Sequence, residues 1–166
     1  MAMSFCLRSA TVRDMDALTE LSRLSFAAGL VADYDPHILA EALPFVSQIS
    51  ESLVQSGQLY VAEGEKGRLV GAGGWSRDYH GLPPVPGVGH IRQFVVHPDH
   101  MRQGIGRVLF QRCLEEADDI LQFDSQASLS AIAFYSSLGF ESIKEDKVIL
   151  PNGIEFPTCL MRFDRY

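Results

Sequence analysis

The segment around residues 94–110 constrains the fold of this chain more than any other part of the sequence. An apolar, β-branched run ends at Pro98, and a polar loop that carries Gly104 and Gly106 follows it. Beyond the loop, apolar side chains recur at helical spacing, namely Ile105, Leu109, Cys113 and Ala117, with Val108 beside them. Glycine lets a backbone approach a ligand closely, and the first N–H groups of a helix have no partner within the helix. The order of strand, loop and helix therefore predicts a binding site for a phosphate or pyrophosphate group.

Three kinds of phosphate-binding loop share this order of elements. A P-loop ends in Gly-Lys followed by Ser or Thr, and the chain contains no such sequence. A dinucleotide-binding loop has a third small residue where this chain has Leu109. The third kind fits better, because residues 101–106 resemble the acetyl-CoA loop of the GNAT superfamily of N-acetyltransferases, whose pattern is Gln/Arg-x-x-Gly-x-Gly/Ala. Met101 stands where that family usually has Gln or Arg, and the loop alone is also compatible with a glycine-rich turn before an ordinary helix.

A second segment, residues 128–140, resembles the other landmark of the same superfamily. That landmark is a short helix carrying Asn-x-x-x-x-Phe-Tyr, followed by Leu-Gly-Phe. Here Ser130 takes the place of the usual Asn and can serve as a polar or N-capping residue. Gly139 is placed for a left-handed helix terminus, after which Phe140 starts a strand. With both landmarks in the right order, residues 87–140 are identified as GNAT-like.

The resemblance implies a fold that the periodicity of the chain also supports. It implies one α/β domain over residues 1–166, with a central mixed, mostly antiparallel twisted sheet, a splayed pair of parallel strands, and helices on both faces. A capping box at Thr11 and Asp14 opens a first helix, and Pro36 opens a second that runs toward Pro44 or beyond. Strands are predicted at residues 5–8, 59–62, 69–72, 89–97, near 120–123, at 140–149 and at 155–163, with a turn at Asn152 and Gly153.

The resemblance also implies that acetyl-CoA is the acyl donor. Phe94 and Val96 would offer backbone groups to the pantetheine arm, and a backbone N–H near Val95 would polarise the thioester carbonyl. The pyrophosphate would be surrounded mainly by main-chain donors of the loop, at Arg102, Gln103, Gly104, Ile105, Gly106 and Arg107. On the second landmark, Ser130 and Ala133 complete the predicted coenzyme contacts.

Direct attack of an amine on a thioester needs a base for the amine and an acid for the departing thiolate. Tyr135 falls on the family tyrosine whose hydroxyl often lies near the coenzyme sulfur, although a tyrosine beside Phe134 can equally serve packing alone. His90 falls where some family members carry the base, and an imidazole titrates near neutrality. It is also compatible with an ordinary strand residue. Weaker candidates in acceptor-side loops are Tyr79, His80, Asp33 and Asp35.

Composition limits the remaining classes of function. A net charge of −7 argues against nucleic acid as the main partner. No stretch approaches the roughly 20 apolar residues of a membrane span, and the N-terminus does not resemble a signal peptide. Cys6, Cys113 and Cys159 are odd in number and far apart, which suits buried thiols in a reducing cytoplasm. No metal is expected, because no carboxylate or cysteine at suitable spacing completes a ligand set with His90, His97 and His100.

The sequence thus predicts a cytoplasmic N-acetyltransferase that acts on a primary amine of a small molecule, amino acid or peptide. Its expected partners are acetyl-CoA and that amine, with a homodimer as a further option. A non-catalytic acyl-CoA-binding sensor of the same fold is the alternative. A third hypothesis is a nucleotide-binding protein unrelated to acetyl transfer.

Overall fold

The computed structural model describes residues 4–79 and 81–166 and contains one seven-stranded sheet in the order β1-β2-β3-β4-β5-β7-β6. Only the β4–β5 pair is parallel among the described strands, and the other neighbours are antiparallel. The predicted mixed, mostly antiparallel sheet is confirmed. The strands are β1 (Cys6–Ser9), β2 (Leu59–Glu63), β3 (Leu69–Ser76), β4 (Val88–Val96), β5 (Gln122–Ser128), β6 (Glu141–Ile149) and β7 (Glu155–Asp164).

Helices cover both faces of the sheet, as predicted. They are α1 (Met15–Gly29), α2 (Pro36–Val46), α3 (Glu51–Gln55), α4 (Ile105–Glu116) and α5 (Ile132–Leu138). On one face, α4 and α5 enclose a core that includes Ile105, Leu109, Phe110, Phe123, Tyr135 and Phe140. On the other face, α1 and α3 pack Leu18, Leu21, Leu53 and Val54 against Val61, Ala72 and Val95. A third cluster joins α2 to the end of the β6–β7 hairpin through Leu39, Ala42, Leu150 and Phe156.

Local signals in the sequence account for most helix ends. The Asp14 carboxylate accepts a hydrogen bond from the backbone N–H of Thr11 at 2.8 Å, just before α1. The Asp35 carboxylate accepts from the backbone N–H groups of His37 and Ile38 at the start of α2. Gly139 ends α5 with a φ of 106°, the left-handed conformation predicted for it. These termini were predictable because each depends on residues within one turn of the helix.

Three elements differ from the sequence prediction. Strand β3 continues to Ser76, beyond the predicted 69–72. Strand β5 continues to Ser128, well beyond the predicted 120–123, and α3 was not predicted. The second half of β5 reads Asp-Ser-Gln-Ala-Ser, a composition typical of a loop. Its small residues, Ser125 and Ala127, are buried beneath α5, and its polar residues line the opposite face. Helix α3 has five residues, too few to show a periodic pattern.

The sheet opens between its two parallel strands. Strands β4 and β5 are paired at Val88, Gly89 and His90, and no further pairs join these two strands, which are fully described. On the other side of β4, the register with β3 shifts between Ala72 and Gly74, opposite Gln93, whose φ is 56°. This bulge bends β4 away from β5. The predicted splay is thereby confirmed, and it lies beside the loop that leads into α4.

Candidate active site

The loop between β4 and α4 leads to backbone donors that have no carbonyl partner within the helix. Arg102 and Gly104 both adopt left-handed backbone conformations, with φ values of 61° and 82°. The first backbone hydrogen bond of α4 runs from the Val108 N–H to the Gly104 carbonyl. The N–H groups of residues 105–107 therefore have no carbonyl partner one turn earlier within the helix. Together with the positive end of the helix dipole, they can hold an anion.

Gly104 and Gly106 are each suited to glycine for a different physical reason. At Gly104 the positive φ favours glycine, and a Cβ there would meet nothing within 4 Å. At Gly106 a Cβ would lie 2.7 Å from the ring of Phe134 on α5. Gly104 thus shapes the loop, whereas Gly106 allows α4 and α5 to pack closely. The sequence had assigned both glycines to the approach of a ligand.

Replacing Gly106 by alanine is expected to lower the free energy of unfolding by about 1–3 kcal/mol, because the added methyl group forces Phe134 to move. Urea denaturation measures this loss. Gly29→Ala is a matched control at the end of α1, where a Cβ meets nothing within 4 Å, and it is expected to cost nothing. Equal stability of the two variants would contradict the packing role of Gly106.

The two arginines of the loop differ in their contacts. Arg107 donates a hydrogen bond from Nη2 to the carbonyl oxygen of Ser137 at 3.1 Å, so its side chain links α4 to the end of α5. Arg102 and Gln103 are exposed at the tip of the loop, as is Met101. The side chain of Arg107 is therefore engaged within the protein, whereas that of Arg102 lies at the exposed tip of the loop.

Beyond the bulge, alternate residues of β4 direct their backbone groups toward the splay. The His97 N–H donates to the Val70 carbonyl on β3 at 2.9 Å. Neighbouring residues of a strand point their backbone groups to opposite sides, so Val96 and Phe94 present theirs toward β5. Val95 pairs with Ala72 on β3, and its backbone groups point toward that strand. The backbone groups that point into the splay are therefore those of Phe94 and Val96, and those of Val95 point toward β3.

Tyr135 lies on α5 with its hydroxyl at the apex of the splay. Its side chain is buried and is hydrogen-bonded to Ser125, the residue that follows the last β4–β5 pair. Burial raises the pKa of the Tyr135 phenol above its ordinary value, so the hydroxyl keeps its proton. The ring also contacts Phe94, Phe134 and Phe140. Proton donation and packing are therefore both available to this residue.

Of the two roles predicted for Ser130, a polar or an N-capping residue, the capping role is wrong. The residue lies in a single 3-10 turn at Leu129–Ala131, and α5 begins at Ile132 with Ala131 at its N-cap and no side-chain capping bond. The Ser130 Oγ is instead buried without a hydrogen-bond partner among the described residues. Because the N-cap of α5 is Ala131, one residue later than predicted, the Ser130 hydroxyl is not placed to cap the free N–H groups. Ala133 is exposed on the first turn of α5.

His90 lies on the opposite face of the sheet from Tyr135. Its neighbour Ile91 packs in the α4–α5 core, and strand alternation turns His90 the other way. The ring of Tyr79 stacks on His90 with the centroids 5.2 Å apart. Burial raises the pKa of the Tyr79 phenol, and the positive charge of Arg92 lowers it in part. His80, a weaker candidate from the same loop, lies outside the described residues.

A row of polar residues crosses the sheet at His90. The register places Ser76, His90, Asp124 and Arg162 side by side on four successive strands, β3, β4, β5 and β7. Arg162 binds both carboxylate oxygens of Asp124, at 2.8 and 3.3 Å. Sequence analysis missed Asp124 and Arg162. The alternation of apolar and polar residues in β5 was the available signal.

The remaining polar residues singled out from the sequence make local contacts. Asp35 caps α2, and the Nδ1 of His97 accepts from the Asp99 N–H in the loop before α4. Asp33 contributes a backbone hydrogen bond to Leu30. Cys113 and Cys159 are buried as predicted, but the prediction is wrong for Cys6, which is exposed at the start of β1. Burial raises the pKa of the Cys113 thiol to about 12, which does not suit a nucleophile. Within residues 4–79 and 81–166, no group of three or more histidine, cysteine or acidic residues could hold a metal ion.

Comparisons with known proteins agree with this geometry. The profile of the Acetyltransferase (GNAT) domain family matches residues 30–161. The Bacillus subtilis protein YqkA, a UPF0157 protein, is 26% identical over 110 residues, which are 64% of this chain and 30% of YqkA. The chain therefore spans about a third of the length of this curated relative.

Solved structures share the fold over nearly the whole chain. A GCN5-related N-acetyltransferase from Rhodopseudomonas palustris has a TM-score of 0.75 at 23% identity, covering 99% of this chain and 98% of its own. PaiA N-acetyltransferase from Thermoplasma acidophilum, in complex with coenzyme A, has a TM-score of 0.72 at 16% identity, covering 98% and 99%. YncA from Salmonella typhimurium, with acetyl-CoA, has a TM-score of 0.64 at 20% identity, covering 98% and 95%. At these identities the likeness concerns the fold. None of the helices in the described residues is long and apolar enough to cross a membrane.

Proposed function

Because the chain belongs to the GNAT acetyltransferase family, we propose that it transfers the acetyl group of acetyl-CoA directly to a primary amine of a small molecule, amino acid or peptide. The single observation that carries this proposal is the splay between β4 and β5, which lies between the free N–H groups of α4 and the hydroxyl of Tyr135. Relatives solved with coenzyme A and with acetyl-CoA support the same assignment.

In the proposed reaction the loop holds the coenzyme and the splay holds its acetyl group. Main-chain donors of residues 102–107 bind the pyrophosphate, and backbone groups of Phe94 and Val96 bind the pantetheine arm. One of these N–H groups also stabilises the oxyanion formed when the amine attacks. Ser130, with its buried and unpartnered hydroxyl, and Ala133, exposed on the first turn of α5, complete the proposed coenzyme contacts.

We assign the two proton transfers to residues on opposite faces of the sheet. His90 removes a proton from the amine, whose nitrogen forms a bond to the carbonyl carbon. The carbon–sulfur bond then breaks, and Tyr135 protonates the departing thiolate. An acceptor reaches this centre from the face of His90 and Tyr79, because α4, α5 and the coenzyme occupy the other face. One catalytic domain over residues 1–166 and a cytoplasmic location belong to the same proposal.

The proposal is tested by measuring acetyl-CoA binding by calorimetry and coenzyme-dependent thiol release with a panel of amines. Tight binding together with amine-dependent thiol release is the expected result. Binding without thiol release for any amine would instead indicate a non-catalytic acyl-CoA sensor. Tighter binding of ATP or NAD than of acetyl-CoA would contradict both.

His90→Gln is expected to flatten or move the acidic limb of the pH–rate profile, with little change in stability. A histidine base works only when neutral, so the wild-type rate should fall as the pH drops through the range where imidazole titrates. Steady-state kinetics across pH with one good acceptor measures this. His37→Gln, on the exposed surface of α2, serves as the control. An unchanged limb in His90→Gln would leave the ionisation of the amine itself as the cause.

A further inference from the structure

An open cavity lies on the face that we assign to the acceptor, and it is lined by Ser76, the register partner of His90. It has a volume of about 360 Å³, and its lining includes Arg92, Ser52, Ser56, Gln58, Ser76 and Asp78. Strands β3 and β4 form its floor, and α3 forms one wall. The lining is rich in hydroxyl and amide groups, so this space suits a polar ligand.

Arg92 has few partners for its charge in this cavity. Its Nη1 donates to the Ser76 Oγ at 3.1 Å, and that hydroxyl donates in turn to the Asp78 carbonyl at 2.8 Å. No ion pair within 4.0 Å joins Arg92 to a carboxylate of the described residues, although Asp78 also lines the cavity. A guanidinium has five N–H donors, so most of its hydrogen-bonding capacity remains available to a ligand.

Two neighbouring arginines differ from Arg92 in that each is paired with a carboxylate. Arg162 on the same face is neutralised by Asp124. Arg77, which also lines the cavity, forms a two-point ion pair with Asp119 at 2.7 and 3.1 Å. Arg92 is therefore the cation of this cavity that still lacks an anion.

Arg92 is also close to the proposed base. It lies two residues after His90 on β4, so both side chains project from one face, about 7 Å apart along the strand. Ser76, which binds Arg92, is the direct partner of His90 in the β3–β4 register. Tyr79 stacks on His90. An acceptor held at Arg92 can thus reach His90.

From this arrangement we infer that the acceptor is an amine that carries a carboxylate, as a free amino acid does, with the carboxylate held by Arg92 and the amine directed to His90. Arginine matches a carboxylate with two parallel hydrogen bonds. A single unpaired cation, with Asp78 nearby, suits a monoanion better than the dianion of a phosphate. This inference rests on the proposed acetyltransferase function.

The test compares kcat/KM for the common free amino acids with those for the primary amide and the decarboxylated amine of the best acceptor. The wild-type protein is expected to prefer the acid by about 10- to 100-fold, the range for a hydrogen-bonded charged group. Arg92→Met should remove this preference without changing the KM for acetyl-CoA, and Arg92→Lys should retain part of it. Arg77→Met, in the same cavity but already paired with Asp119, should leave the preference intact.

Each outcome decides between the two proposals. Equal rates for acid, amide and amine would overturn the carboxylate assignment while leaving acetyl transfer intact. A preference for the acid that survives in Arg92→Met would also overturn the carboxylate assignment. So would a kcat/KM for a peptide N-terminus that exceeds the value for every free amino acid. Thiol release with no amine at all would contradict the proposed function, and the acceptor assignment with it. Thermal unfolding of Arg92→Met confirms that the variant is folded.

Discussion

Gly104→Asp is expected to weaken acetyl-CoA binding by more than about 100-fold, because like charges in contact cost several kcal/mol. The substitution adds a carboxylate where we place the pyrophosphate, beside the free N–H groups of α4. A Cβ at this position meets no neighbouring atom within 4 Å, so the loss would not come from a clash with the core. Calorimetric titration with acetyl-CoA measures the change.

Two further variants separate charge from backbone strain. Gly104→Ala has the same left-handed φ penalty, about 1–2 kcal/mol for a residue with a Cβ, but adds no charge. Gly153→Asp adds the same carboxylate at a φ of 84° in the distant β6–β7 turn, where a Cβ also meets nothing. We expect Gly104→Ala to bind more tightly than Gly104→Asp, and Gly153→Asp to bind as the wild type does. Wild-type affinity in Gly104→Asp would rule out this loop as the pyrophosphate site.

Tyr135→Phe is expected to lower kcat by about 10- to 1000-fold while the affinity for acetyl-CoA stays near that of the wild type, in the range of a single general acid. The substitution keeps the ring contacts with Phe94, Phe134 and Phe140 and removes only the hydroxyl. Since burial raises the phenol pKa, the wild-type enzyme should show no loss of rate from Tyr135 up to about pH 10, the ordinary phenol value. Steady-state kinetics across pH tests both expectations.

A buried tyrosine elsewhere provides the matched control for this variant. Tyr60 on β2 is buried and accepts a hydrogen bond from the Trp75 indole at 3.1 Å. Tyr60→Phe and Tyr135→Phe should each lose about 1 kcal/mol of stability with their hydrogen bond, but only the second should lose turnover. Ser125→Ala keeps the phenol and is expected to have a small effect on kcat. An unchanged kcat in Tyr135→Phe would assign the residue to packing alone.

The parts of the site that were predictable from the sequence depend on short stretches of chain. The loop before α4 and the left-handed end of α5 at Gly139 follow from glycine positions and apolar periodicity. The prediction that Phe94 and Val96 offer backbone groups to the coenzyme came from the family resemblance. Ser130 was misassigned because helix starts shift by one or two residues with little change in local sequence.

The sequence by itself determined the order of strands and helices, the glycine-bearing loop and the positions of Tyr135 and His90 in their elements, because periodicity and backbone freedom are local properties. Only the tertiary structure decided which side chains meet. The contacts of Gly106 with Phe134, Tyr135 with Ser125, and Asp124 with Arg162 join residues on different elements. Strand alternation specifies two faces but not what covers each of them. That is why the cavity at Arg92 became visible only once α3 was packed against β3 and β4.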